Sequence, residues 1–339
     1  MREKDIRNAD VLNRYLELVQ EDCRKFFNDK RSFTVVNCPA CGGIAHTPEY
    51  NKNGFDYVTC NNCRTLYART RLNFECLKQF YSESASTEYW VKDFFTPMVE
   101  ARREKIFTPR AEYLVSYFGH DRGWTIGDIG AGFGLFLEEL RKLWPASNYV
   151  AIEPSKDQAK ICEKLSVQVE CCTCEELKGH DESYDLLTAF ELLEHLFEPL
   201  SFLEKTCSLL KPGGYLFLTT LNGEGFDILT LREMSKSVSP PHHLNFFNPA
   251  SLELLLKKTG FEIIDISTPG KLDWDIVEGM IINEKVNAGS FWKLFAEQGT
   301  PDAKKDLQNW ISQHGFSSHM RILAKKKNER QRAENTPKT

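Results

Sequence analysis

The sequence predicts an α/β fold organised as a doubly wound, mostly parallel sheet. Three observations point there. A Gly-rich turn, Gly127-Asp128-Ile129-Gly130-Ala131-Gly132-Phe133-Gly134, joins a short apolar run to a helical pattern; glycines there permit positive φ and close approach of a ligand to the backbone. From Trp124 onward, short apolar runs alternate with helix-period runs, as successive strand–helix–strand units do. Pro212-Gly213-Gly214 then stops one helix and opens the strand Tyr215-Leu216-Phe217-Leu218.

Taken in order, residues 1–32 carry a helix over 5–30, with Val11, Leu12, Tyr15, Leu16, Leu18 and Val19 at helical spacing, read as a packing or dimer element. Residues 33–70 hold two C-x-x-C knuckles. Residues 71–123 form a helical bridge containing Tyr89, Trp90 and the basic run Arg102-Arg103-Glu104-Lys105. The core, 124–268, has strands expected at 124–129, 148–153, 167–172, 184–190, 214–221 and 261–267, with helices at 134–144, 156–165, 199–210 and 249–258. A helical insertion follows at 269–317, then a last strand at 318–326 and a polar, basic tail, 327–339, expected to be disordered.

A chain of 339 residues suggests more than one domain, and its net charge of -5 argues against a large nucleic-acid surface. No run of eighteen apolar residues predicts a membrane span. The start, Met1-Arg2-Glu3-Lys4-Asp5, has no apolar segment of signal-peptide type, so the expected compartment is the cytoplasm. Eleven cysteines in that setting suggest reduced thiols, some of them on a metal. No sequence feature sets an oligomeric state.

Cys38-Pro39-Ala40-Cys41 and Cys60-Asn61-Asn62-Cys63 are separated by eighteen residues, the arrangement of a four-thiolate zinc ribbon. Four thiolates close a tetrahedral shell, so Zn2+ there is expected to be structural; reduced thiols or a redox pair are the alternatives. His46 reads as a surface residue, and Cys23, Cys76, Cys171, Cys172 and Cys174 as packing residues.

Ligands of open parallel sheets sit outside the carboxyl ends of the strands. Asp128 ends the first core strand and Glu153 the second, where a carboxylate can accept both hydroxyls of a ribose. These two features leave NAD and S-adenosylmethionine open. The Gly-x-Gly-x-Gly spacing after Asp128 resembles motif I of the class I S-adenosylmethionine-dependent methyltransferases, over about Trp124 to Thr268. The resemblance implies a Rossmann-like seven-stranded sheet whose last strand is antiparallel, for which His319-Met320-Arg321-Ile322-Leu323-Ala324 is the candidate. It also implies a cofactor held by Asp128, Gly130, Gly132, Gly134 and Glu153, with Thr173 where the family often has Asp facing adenine. Phe190 and Glu191 of the "LEH" segment would border the sulfonium. Tyr89 is either the side chain beside the methionine portion or an aromatic packed on the sheet.

For a hydroxyl acceptor a base is needed, and histidine titrates in the right range. The candidates are His243, in Pro240-Pro241-His242-His243, and then His195, whose other reading is a helix cap. The two prolines are expected to hold this segment extended, with one histidine inward and one in solvent. The ribbon, the "LEH" strand end and the "PPHHLNFF" segment resemble methyltransferases of bacterial sugar and surface-polysaccharide biosynthesis. The expectation is therefore O-methylation of a small, sugar-linked acceptor. An RNA- or ribosome-associated methyltransferase and a non-catalytic cofactor-binding scaffold are the alternatives.

Overall fold

The computed structural model of the protein describes residues 2–6, 8–27 and 33–328; the expected tail lies outside the described residues from position 329. Seven strands form the main sheet: β1 Thr125–Ile129, β2 Asn148–Ile152, β3 Gln168–Glu170, β4 Tyr184–Phe190, β5 Leu210–Leu221, β6 Phe261–Ser267 and β7 His319–Lys326. Their spatial order is 3-2-1-4-5-7-6. Neighbours from β3 to β5 are parallel, and β7 runs antiparallel to both β5 and β6. The order reverses between β1 and β4, where such a sheet opens a crevice beyond its carboxyl ends.

Local sequence explains this arrangement. The last four residues of β1 are buried, and Gly127 makes that possible, since a Cβ there would lie 2.6 Å from Leu187 and 2.9 Å from Tyr184. Along β5 the side chains alternate, Leu216 and Leu218 facing one layer and Phe217 the other. Helices Thr108–Phe118 and Leu135–Leu143 cover the Phe217 face; Pro199–Leu209 and Pro249–Lys258 cover the opposite one. Helix 249–258 starts on a capping box, in which Asn248 Oδ1 accepts the Ser251 N–H at 2.8 Å and Ser251 Oγ accepts that of Asn248 at 2.9 Å.

The cysteine-bearing segment is less separate than its sequence suggests. Strands His46–Lys52, Phe55–Cys60 and Leu66–Ala68 make an antiparallel meander, but a fourth strand, Asn245–Phe246, comes from beyond β5. Cys38, Ala40, Val58 and Tyr67 share one core with Leu187 and Phe202. Helix Ala9–Phe26 also turns inward, placing Leu12, Tyr15, Val19 and Cys23 among Phe55, Tyr57, Phe80 and Phe246. Between β6 and β7, helices Asp273–Ile282, Ser290–Gln298 and Pro301–Gln313 gather around Trp274, Val277 and Met280. None of the described helices is long and apolar enough to cross a membrane.

Candidate active site

A cavity of about 370 Å³ lies over the carboxyl ends of β1 and β4. Gly130, Gly132 and Asp128 line it from the sheet, Leu12, Tyr15 and Leu16 of helix 9–26 from the N-terminal side, and His195, His242 and His243 from a third. A second cavity, of about 300 Å³, adjoins it over the end of β5, the chain that follows β6 and the start of β7. The two share Arg102, Arg110, Glu191, Leu221 and Ser237 as common wall.

The three glycines of the turn divide their work. All have positive φ. Nothing lies within 4 Å of where a Gly132 Cβ would stand, so its backbone faces open space. Gly134 instead packs against the following chain, where a Cβ would meet Leu165 at 2.4 Å, and it does not line the cavity. Glu153 is 5% exposed and braces the turn: its carboxylate accepts the Gly132 N–H at 2.7 Å and the Ser155 N–H at 2.8 Å. Burial raises its pKa, and drives that of Asp128 up to about 7 despite a 2.6 Å hydrogen bond from Thr188.

Phe190 and Glu191 meet at the shared wall. Phe190 packs edge-on to Phe136, with the Arg110 guanidinium 4.6 Å from its ring centre. Glu191, at φ +51°, accepts from Arg110 at 2.7 Å and from Thr219 Oγ1 at 2.7 Å. Burial opposes its charge, yet His319, 3.5 Å away, and then Arg110 and Thr219 hold its pKa down to about 2. Burial lowers the pKa of His319 itself, so where that ring is neutral Arg110 is the remaining charge. No sequence signal marks Arg110. The run that did attract notice splits: Arg102 and Lys105 line cavities, while Arg103 is ion-paired to Glu138 and Glu139.

The segment carrying the histidines turns rather than running extended. Both His242 and His243 donate their N–H to Ser239 O at 3.0 Å, and both side chains line the first cavity. His243 Nδ1 lies 2.6 Å from the Ser237 carbonyl, an acceptor, so the proton sits on Nδ1 and the lone pair on Nε2. Its ring meets that of His195 at 4.7 Å. Glu194, 1% exposed, completes a trio whose ligand-type atoms lie within 4.8 Å of one another. Burial, then the Glu191 charge, pushes the Glu194 carboxyl well above the usual range. It is a protonatable group beside the two histidines that the reading of "LEH" passed over.

His242 packs between Tyr15 and Phe80, ring centres 5.8 and 5.1 Å away, and burial drives its pKa down to about 3. An unfolded histidine titrates at about 6.5, so between these values only the unfolded chain takes up the proton. This contribution to stability is complete above about pH 6.5 and shrinks as pH falls toward about 3. Urea melts should show lower stability at about pH 5 than at about pH 7.5, with a flatter dependence for His242→Phe. Equal slopes in parent and variant would remove His242 from this account.

Four expected cofactor residues do not line the cavity: Gly134 and Glu153, described above, and Tyr89 and Thr173. Tyr89 packs in the core under helix 9–26, while its neighbours Thr87 and Trp90 line the space. Thr173 pins its own turn, its Oγ1 accepting the Glu176 N–H at 3.4 Å. The four knuckle cysteines do converge. Their sulfurs lie within 4.8 Å of one another, with Cys38–Cys63 and Cys41–Cys60 each at 3.5 Å.

A mostly parallel sheet in this order, with a glycine turn flooring a cavity at its reversal point, defines a nucleotide-cofactor fold. Residues 98–266 match a family model described as a methyltransferase domain. The ubiquinone biosynthesis O-methyltransferase of Xanthomonas axonopodis pv. citri is 32% identical over 171 residues, 47% of this chain and 70% of that protein. The mitochondrial human enzyme of the same name is 29% identical over 157 residues, 42% of each chain, and that of Parvibaculum lavamentivorans 34% over 101 residues. The chain thus spans less than half of the human and Parvibaculum proteins. In fold it resembles a chain of the Haloferax volcanii complex between the Trm112 methyltransferase activator and a methyltransferase, at TM-score 0.50 and 14% identity, covering 70% of this chain and 96% of that one. The protein belongs to the class I S-adenosylmethionine-dependent methyltransferases. These relatives are named for ubiquinone biosynthesis, not for sugar or polysaccharide biosynthesis.

Proposed function

We propose that the protein transfers a methyl group from S-adenosylmethionine to a hydroxyl of a small polar acceptor. His243 is the observation that carries the hydroxyl: an imidazole whose tautomer leaves the lone pair on Nε2, lining the same cavity as the glycine turn. The open space over Gly132 fits the cofactor, with Gly130, Gly132 and Phe190 as its walls; Glu153, bonded to the Gly132 N–H, is the carboxylate we assign to the ribose hydroxyls. When bound, the cofactor supplies a methyl group already activated on a sulfonium. The chain's own residues then have two tasks, aligning the acceptor and receiving its proton. His243 receives it, and the Arg110–Glu191 pair fixes the wall between the two cavities.

The relatives' names suggest an oxygen acceptor of the ubiquinone-biosynthesis kind, and the ribbon and the "PPHHLNFF" segment a carbohydrate hydroxyl. The carbohydrate reading draws nothing from the relatives, which are named for ubiquinone biosynthesis. An RNA acceptor is disfavoured by the ribbon's chemistry, because its Arg64 is already ion-paired to Glu224 at 2.7 Å. The cysteine cluster fits Zn2+: ligands about 2.3 Å from a tetrahedral ion stand roughly 3.8 Å apart, close to the spacings seen. No open position remains, so we assign it a structural role.

The test is mass spectrometry of hydroxylated acceptors, phenolic and sugar-linked, after incubation with the protein and isotopically labelled cofactor. A labelled methyl ether is expected. In parallel, Glu153→Ala should weaken cofactor binding by about 1.5–3 kcal/mol, the range for hydrogen bonds to a charged group. Calorimetry showing unchanged affinity would reject Glu153 as a cofactor ligand, and a label found only on nitrogen or carbon would reject the hydroxyl.

A further inference from the structure

The second cavity lies beyond the glycine turn, none of whose residues line it, and its lining is rich in cations. Arg321 and Lys271 stand on its β6–β7 side, away from the glycine turn, and Lys105 faces them from the N-terminal bridge. The carboxylates of the same cavity are already engaged. Glu191 takes Arg110 and Thr219. Asp273 takes Ser317 Oγ, the Ser318 N–H and Gln308, and Asp227 takes Ser318 Oγ.

Arg110 is paired with Glu191, but Arg321, Lys271 and Lys105 are matched less closely. Arg321 lies flat over Tyr113, its guanidinium carbon 3.6 Å from the ring centre, and makes one hydrogen bond, from Nη2 to Ser267 Oγ at 3.1 Å. The nearest carboxylate, Asp265, is 3.9 Å away and accepts instead from Tyr113 and Ser267. Lys271 is exposed at the mouth, and no ion pair among the described residues involves it. Among the described residues, the ion pair that Lys105 makes is with Asp5, at 3.6 Å. A guanidinium fixed by stacking, with most of its donors unspent, is suited to an oxyanion.

We propose that this cavity seats an anionic oxygen group of the acceptor, a phosphate or a carboxylate, held by Arg321 and Lys271. The inference rests on the methyltransferase reading above and adds the acceptor's class. The shared wall makes the geometry workable: an acceptor anchored here reaches past Glu191 and Ser237 to the cavity where His243 stands.

The experiment titrates the full chain, with S-adenosylhomocysteine present, against inorganic pyrophosphate and separately against benzoate. Saturable binding of one probe is expected, identifying phosphate or carboxylate as the natural group. Lys271→Gln, at an exposed position with no ion pair to lose, and Arg321→Lys should each weaken that binding by about 10- to 100-fold. S-adenosylhomocysteine affinity should stay at the parental value in both. Failure of both probes to bind, or binding insensitive to both substitutions, overturns the anion seat while leaving the methyltransferase reading standing. Failure to bind S-adenosylhomocysteine at all would instead overturn the reading on which the seat depends.

Discussion

His243→Ala should lower turnover by about 10²–10⁴-fold, the usual worth of a positioned general base, and should leave cofactor affinity unchanged. The expectation follows from the hydrogen bond to Ser237 O, which fixes the ring and assigns the lone pair to the other nitrogen. It follows also from the surroundings: Tyr57 Oη donates to the His243 carbonyl at 2.6 Å, so the backbone under the imidazole is held as well. His195 is less suited to begin the proton transfer. Burial and the adjoining histidines lower its pKa well below the ordinary value, which makes it a weak base. His195→Ala should therefore cost less than His243→Ala. Separate measurements of kcat and of cofactor Kd for both variants check the order. Parental kcat in both would mean that the reaction needs only alignment, and the histidines would then be scaffold.

The parts of the site visible beforehand are those whose signal is local. The glycine turn, Asp128 and Glu153 stand at strand ends, and strand ends follow from apolar runs and turn residues a few positions long. The fold class was legible for the same reason, since each strand–helix unit carries its own stop signals. What escaped depends on pairing across long stretches of chain. Asn245–Phe246 pairs with Leu66–Ala68, and nothing near either segment announces the other. Helix 9–26 reaches the cavity through tertiary packing alone, so its amphipathic pattern could not tell cavity from dimer partner. Arg110 gained its role from a neighbour far along the chain, Glu191. Thr173 was placed by its position after a strand, but its hydroxyl serves a local turn, a common competing use for threonine.

Loss of the zinc proposed for the cysteine cluster is expected to be at least as damaging, because this segment is tied to the core and to the histidine segment at once. Cys38 and Cys60 are buried in the core that also holds Leu187 and Phe202. Strand Leu66–Ala68 pairs with Asn245–Phe246. Arg71, 1% exposed, donates to Asn245 Oδ1 at 2.6 Å and to the Phe197 carbonyl at 2.9 Å. Asn245 in turn donates to the carbonyls of Leu193 and Leu196, on either side of His195. Metal binding of this kind is coupled to folding. Cys60→Ser should therefore cost more than about 4 kcal/mol of stability, the range reached when a metal is lost, seen as a markedly lower melting temperature. Because Tyr57 and Asn245 link the ribbon to His243 and His195, turnover should fall at temperatures where the sheet is still folded. Elemental analysis should find one zinc per chain in the parent. A parent protein free of zinc, with four readily titrated thiols, and a Cys60→Ser variant with unchanged melting and turnover would together show that the ribbon stands without metal.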